Sequence, residues 1–147
     1  MNFDVKIKKL RDNAVIPTYG TDYAAGADLY AAIDDVVTIA PGETKLIPTG
    51  LAFEIPTGYA GFVHARSGLA SKRGLAPANK VGVIDSDYRG EVMTALHNHG
   101  TEKQSVEPGE RIAQMVIAPY ITANFILCDE LDDTVRGEGG FVSTGRK

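Results

Sequence analysis

A chain of 147 residues is one domain's worth and long enough to bury a proper core. With 44% apolar and 23% charged residues and no long biased tract, it is globular in composition. A formal net charge of −4 argues against nucleic acid as the main partner, because such proteins usually present a basic face.

Cys128 is the only cysteine, so no internal disulfide can form. It follows the apolar run Phe125-Ile126-Leu127 and is expected to be a small buried hydrophobe, not a reactive thiol. There is no basic-then-apolar N-terminal signal, and no apolar run approaches the ~20 residues of a membrane span. A cytoplasmic protein without a membrane partner is the expectation.

In chain order, turn signals recur at nearly regular spacing: Pro41-Gly42, Thr49-Gly50, Pro56-Thr57-Gly58, Arg89-Gly90, Asn98-His99-Gly100 and Pro108-Gly109. The segments between them are short and alternating: Thr44 to Ile47, Leu51 to Ile55, Tyr59 to Ala65, Val92 to His97 and Ile112 to Ala118. Short strands punctuated in this way predict an all-β sandwich or barrel, in the manner of a jelly roll. One short helix is expected from Ser67 to Arg73, with Ser67 as its N-cap and Lys72-Arg73 as a solvated end. The domain is taken as residues 1–147, with 132–147 a flexible Gly-rich C-terminal arm.

Five polar clusters interrupt the strand background. Ala25-Gly26-Ala27-Asp28-Leu29 sets a lone acid among small apolar residues. Arg66-Ser67-Gly68-Leu69-Ala70 ends a strand and opens the helix, where a hydroxyl and free amides can receive an anion. Val81 to Glu91 holds Asp85, Asp87 and Tyr88 within four residues; on a strand the two acids would share one face. Gly109-Glu110-Arg111-Ile112-Ala113-Gln114 follows a turn and begins a strand. The tail carries Gly137, Gly139, Gly140 and Gly145 with Arg136, Phe141, Ser143 and Thr144. It reads either as a frayed terminus or as a segment that wraps phosphates with unhindered amides, hydroxyls and a bidentate guanidinium. His64, His97 and His99 make no metal pattern with a cysteine or clustered acid, and His97-Asn98-His99 reads as a hairpin turn.

Each cluster alone has a bland reading as a solvated acid, a cap or a surface turn. Taken in order, they resemble the five motifs of the trimeric deoxyuridine triphosphatases (dUTP pyrophosphatases), over about Ala14 to Gly145. That resemblance implies hydrolysis of dUTP to dUMP and pyrophosphate by attack of water on the α-phosphorus, with Mg²⁺ as cofactor. It would limit uracil incorporation into DNA and supply dUMP for dTMP synthesis.

By the same resemblance Asp85 matches the water-activating base, a role typically worth ~10²–10⁴ in rate. Tyr88 matches the ring that packs on the deoxyribose and leaves no room for a 2′-hydroxyl. Asn79 and Gly82 match the hairpin that reads uracil through main-chain groups; cytosine would leave buried groups unpaired at roughly 1–3 kcal/mol each. Arg66, Ser67 and Gly68 match phosphate contacts, Gln114 matches a residue bonding the phosphates or the attacking water, and Asp28 matches an acid that looks to Mg²⁺ through water. Arg136, Ser143 and Thr144 match the tail's grip on the γ-phosphate, and Phe141 matches the ring that closes over uracil. Asp87 is assigned to support of the site. The resemblance also implies a homotrimer with sites between subunits.

One position departs from the family pattern. Val142 stands where the family usually has glycine, and it would cost roughly 1–2 kcal/mol if a left-handed backbone is needed there. Two other readings stay open. A dCTP deaminase of the same superfamily would be expected to have a catalytic glutamate and a different continuation after Arg-Ser than Gly68-Leu69-Ala70. A non-catalytic regulatory protein on this fold is opposed by the intact Asp85, Tyr88, Gln114 and Arg136.

Overall fold

A computed structural model of the chain describes residues 3–141; Val142, Ser143 and Thr144 lie outside the described residues. Twelve strands are described: β1 (Lys6–Lys9), β2 (Thr18–Tyr19), β3 (Ala27–Tyr30), β4 (Val37–Ile39), β5 (Thr44–Pro48), β6 (Leu51–Glu54), β7 (Tyr59–His64), β8 (Leu75–Pro77), β9 (Gly82–Ile84), β10 (Met93–Asn98), β11 (Gln104–Val106) and β12 (Arg111–Pro119). One helix, α1 (Ser67–Arg73), lies between β7 and β8. Every strand pairing is antiparallel. This is the jelly-roll-like all-β architecture that the turn spacing predicts.

The largest sheet has the order β2-β3-β12-β7-β9, and a second runs β5-β10-β8; the pairs β1-β6 and β11-β4 close the sides. The alternation of each strand decides which face it buries. In β10, Thr94, Leu96 and Asn98 turn inward while Met93 stays exposed. In β12 the inward set is Ile112, Ala113 and Met115, because a bulge between Arg111 and Ala113 breaks the alternation.

The core forms two clusters. One gathers Leu29, Leu51, Phe53, Ile55, Val63, Val92 and Met115. The other gathers Ile39, Ile47, Leu69, Leu75, Leu96, Val106 and Ile112 around the helix. Full burial of a leucine or isoleucine contributes about 1.5–3 kcal/mol, so these clusters hold the sheets in register.

The helix has the expected span but not the expected cap. Arg66 occupies the N-cap, with φ −89° and ψ 128°, and gives no side-chain cap bond. Ser67 is already the first helical residue, so its hydroxyl makes no capping bond. At the other end Gly74 takes φ 66° and its N–H closes on Ala70 and Leu69. A side chain there would meet the backbone of Gly100 at 2.9 Å, so glycine is required twice over.

Arg73 is not a solvated helix end. Its guanidinium donates to the Gln104 side chain at 3.1 Å, to Glu110 and to the Ser105 carbonyl, tying α1 to β11 and the turn before β12. Nor is Asn98 a turn residue: it ends β10 fully buried. Its amide donates to Ile39 O at 3.0 Å and Glu102 O at 2.7 Å and accepts from Gly100 N–H at 2.9 Å. Three nearby backbone groups, one of them fully buried, are satisfied by this amide, which outweighs its turn propensity.

After β12 the chain leaves the barrel. Tyr120 N–H donates to Gly58 O at 3.1 Å, and beyond it Ile121, Phe125 and Leu127 are almost fully exposed. Cys128 is exposed with them, contrary to the expectation of burial. The apolar run that argued for burial pairs with no strand among the described residues, so its apolar neighbours do not shield it.

Candidate active site

The sheet order places the expected site residues in two groups. In the register of the large sheet, Gln114 on β12 lies opposite Asp28 on β3 and opposite His64 on β7. Arg66 and Ser67 follow β7 directly, so the first, second and fourth polar clusters of the sequence meet at one end of this sheet.

Their contacts are specific. Arg66 Nε donates to Asp28 Oδ1 at 2.8 Å, and Arg111 Nη1 reaches Asp28 Oδ2 at 3.4 Å. The Asp28 side chain is only 13% exposed, so its charge is matched inside the site and not in solvent. The Gln114 amide donates to Ala65 O at 2.9 Å, and its oxygen lies where a Cβ on Gly26 would stand. A side chain at Gly26 would therefore have to displace the Gln114 amide. The Ser67 side chain has no hydrogen bond to the protein among the described residues, and Ser67 and Gly68 are exposed. The result is an open, two-guanidinium surface at a strand-to-helix turn, suited to an anion with several oxygens.

The second group is carried by β9, which pairs antiparallel with β7: Gly82 lies opposite Val63 and Ile84 opposite Gly61. The connection from β8 to β9, which lie in different sheets, turns at Ala78-Asn79-Lys80, with Lys80 N–H on Pro77 O at 3.1 Å and Lys80 at φ 65°. Asn79 Nδ2 packs against Gly82. The strand ends at Ile84, and a turn follows, closed by Tyr88 N–H on Asp85 O at 3.2 Å. Asp85 and Asp87 therefore do not share a strand face, although both line a cavity with Phe62, Val83 and Tyr120. A cavity of about 370 Å³ lies beside the turn, lined by Asp85, Tyr88 and Glu91 with Val83, Ile84, Val92 and Met93.

Within one chain the two groups do not meet. Asp85 stands beside the start of β7 and Arg66 beyond its end, roughly 15–20 Å of extended chain apart. The third group is separate again. Arg136 bonds Gly139 O at 2.6 Å, Gly137 N–H bonds Thr134 Oγ1 at 3.0 Å, and Phe141 is fully exposed.

Three further charged residues were not expected. Arg111 faces Asp28, Glu110 receives Arg73, and Arg11 pairs with Glu91 at 2.7 Å. Glu110 and Arg111 sit inside a recognised cluster, but their partners are 37 and 83 residues away and no local pattern names them. Among the described residues, no three His, Cys, Asp or Glu side chains come together to hold a metal, and no helix is long and apolar enough to cross a membrane.

The fold is an antiparallel all-β barrel that carries a two-guanidinium surface at one end of its large sheet and an acid-bearing turn at the other. A family model described as dUTPase matches residues 12–145. Deoxyuridine 5′-triphosphate nucleotidohydrolase of Desulfitobacterium hafniense is 56% identical over 144 residues, covering 96% of this chain and 95% of the relative. The protein of the same name from Nautilia profundicola is 55% identical over 142 residues, covering 97% and 99%. A solved Staphylococcus bacteriophage 80alpha dUTPase with dUPNHPP superposes with a TM-score of 0.90 at 29% identity, covering 99% of this chain and 100% of that one. The chain belongs to the dUTPase family and is an enzyme of that class, a dUTP diphosphatase.

Proposed function

We propose that the chain hydrolyses dUTP to dUMP and pyrophosphate at sites assembled between the subunits of a homotrimer. The observation that carries this reading is the separation along β7. Asp85 and Tyr88 stand at one end of the strand, and Arg66, Gln114 and Asp28 stand at the other. One small substrate reaches both groups only if they come from different copies.

In this reading β9 is the nucleoside strand. Asn79 and Gly82 present main-chain groups to the uracil edge, and Tyr88 packs on the deoxyribose. About 10 Å of strand separates Gly82 from Asp85, which leaves Asp85 at the first phosphate. Asp85 accepts the proton of a water whose oxygen attacks the α-phosphorus. The bond from that phosphorus to the α,β-bridging oxygen breaks, and pyrophosphate leaves.

Arg66, Ser67, Gly68 and Gln114 of a neighbouring copy hold the phosphates, and Arg111 adds charge beside them. Arg136, Ser143 and Thr144 of the arm hold the γ-phosphate, while Phe141 covers the base. Positioning and charge neutralisation carry most of the catalysis, as phosphoryl chemistry requires.

The donor set fits Mg²⁺ brought in by the substrate. No cluster of three ligating side chains exists among the described residues, and Asp28 already answers two guanidiniums. Mg²⁺ keeps its water shell and binds through phosphates, so Asp28 would meet it through water, and it would supply neutralisation of the triphosphate. The product would feed dTMP synthesis, and removal of dUTP would keep uracil out of DNA.

The test is pyrophosphate release from dUTP, dCTP, dTTP and UTP with Mg²⁺. Turnover confined to dUTP is expected. No turnover of dUTP, or ammonia released from dCTP, overturns the reading.

A further inference from the structure

We propose that Arg11 and Glu91 form a clamp that sets the position of the Tyr88 ring, making Arg11 a positioning residue for discrimination against ribonucleotides. The inference rests on the reading of Tyr88 as the wall beneath the sugar.

The wall is attached at one atom. Tyr88 OH donates to the Glu91 carbonyl at 3.0 Å, and the ring lies over Gly90, where a Cβ would collide with it. The ring's height over the cavity therefore follows the position of the Glu91 backbone.

Glu91 is held from both sides. Its carboxylate receives Arg11 Nε at 2.7 Å and Nη2 at 3.3 Å, a fork that fixes orientation as well as distance. It also accepts Gly50 N–H at 3.0 Å. Gly50 is buried, and a Cβ there would meet Ala14, Ala32 and Arg11, so that donor sits on a crowded piece of backbone. The next residue, Val92, is buried and pinned by its N–H on Leu51 O at 2.8 Å and by its carbonyl on Thr49.

The Glu91 side chain is 14% exposed and lines the same cavity as Asp85 and Tyr88. Without Arg11 the carboxylate would keep only the Gly50 N–H, and its freedom to turn toward water or the cavity would loosen the residue whose carbonyl holds Tyr88. The hydrogen bond to Glu91 raises the proton affinity of the Arg11 guanidinium above its ordinary value.

The experiment compares kcat/KM for dUTP and UTP in the parent, Arg11→Ala, Arg11→Lys and Glu91→Gln. In Arg11→Ala the dUTP-to-UTP ratio should fall roughly tenfold, the scale of a sub-ångström to 1 Å misplacement. Arg11→Lys keeps one bond and should restore part of the ratio. Glu91→Gln keeps an acceptor for Gly50 and should fall between. Tyr88→Phe should reproduce the loss, with Arg11→Ala adding little to it.

An unchanged ratio in Arg11→Ala, with only a lower melting temperature, reduces the pair to a stabilising contact and overturns the proposal. Should Arg11→Ala fail to fold, an unchanged ratio in Glu91→Gln does the same. Calorimetric binding of dUMP against UMP reads the same selectivity without turnover. An inactive parent would thus sink the activity reading while the clamp is still judged.

Discussion

Arg66 Nε donates to Asp28 Oδ1 at 2.8 Å across 38 residues of sequence. The acid proposed to look to the cation and the guanidinium proposed to hold a phosphate are thus paired with each other. In the proposed reading Asp28 would therefore have two tasks, orienting Arg66 and meeting Mg²⁺ through water.

Asp28→Asn should raise the Mg²⁺ concentration needed for half-maximal rate by about 10–100-fold, the usual effect of losing an outer-sphere carboxylate. A magnesium titration of pyrophosphate release checks this. An unchanged midpoint, with only weaker nucleotide binding, would leave Asp28 the single task of aiming Arg66.

The separation of Asp85 from Arg66 along β7 makes a stoichiometric prediction. Asp85→Asn should bind dUTP yet lose ~10²–10⁴ in kcat, and Arg66→Ala should also be nearly inactive. When the two variants are co-refolded one to one, a shared site is intact if each contributing subunit carries its own native residue, in about a quarter of sites. Recovery of roughly that share of parent activity is expected. Activity equal to the sum of the two variants would place each site within one chain.

Gly26 and Gln114 are one unit. Gly26→Ala forces the Gln114 amide out of its place and off Ala65 O. Overpacking of this kind typically costs about 1–3 kcal/mol, and here it falls on a residue proposed to hold the phosphates. The kcat/KM of Gly26→Ala should match that of Gln114→Ala, and the double variant should be no worse than either. Additive losses, read from steady-state kinetics, would mean that Gly26 serves the strand and not the site.

Val142 lies outside the described residues, and its effect is a matter of backbone preference. If the arm closes with a left-handed residue there, Val142→Gly removes roughly 1–2 kcal/mol of strain and should raise kcat/KM by about tenfold. An unchanged kcat/KM means the valine is silent.

Much of the fold was legible because it rests on short-range rules. Alternation located β5, β6, β7, β10 and β12 within a residue or two, and the helix Ser67–Arg73 came out with its observed span. The cap was misread because Ser67 has the right chemistry one position too late. The acids of the Asp85 turn were placed on a strand because nothing local signals that β9 stops at Ile84. Cys128 was expected inside because apolar neighbours imply burial only where a partner surface exists.

By itself the sequence determined the residue types of the chemistry and their order, since the polar clusters stand out against an alternating apolar background and match one family. Sheet order and register were decided by tertiary structure alone. They bring Asp28, Gln114 and Arg66 together, hold Asp85 well away from them, and join Arg11 to Glu91. The physical reason is range: propensity and periodicity act over a few residues, whereas these pairings arise only when burial of the two core clusters selects which strands lie side by side.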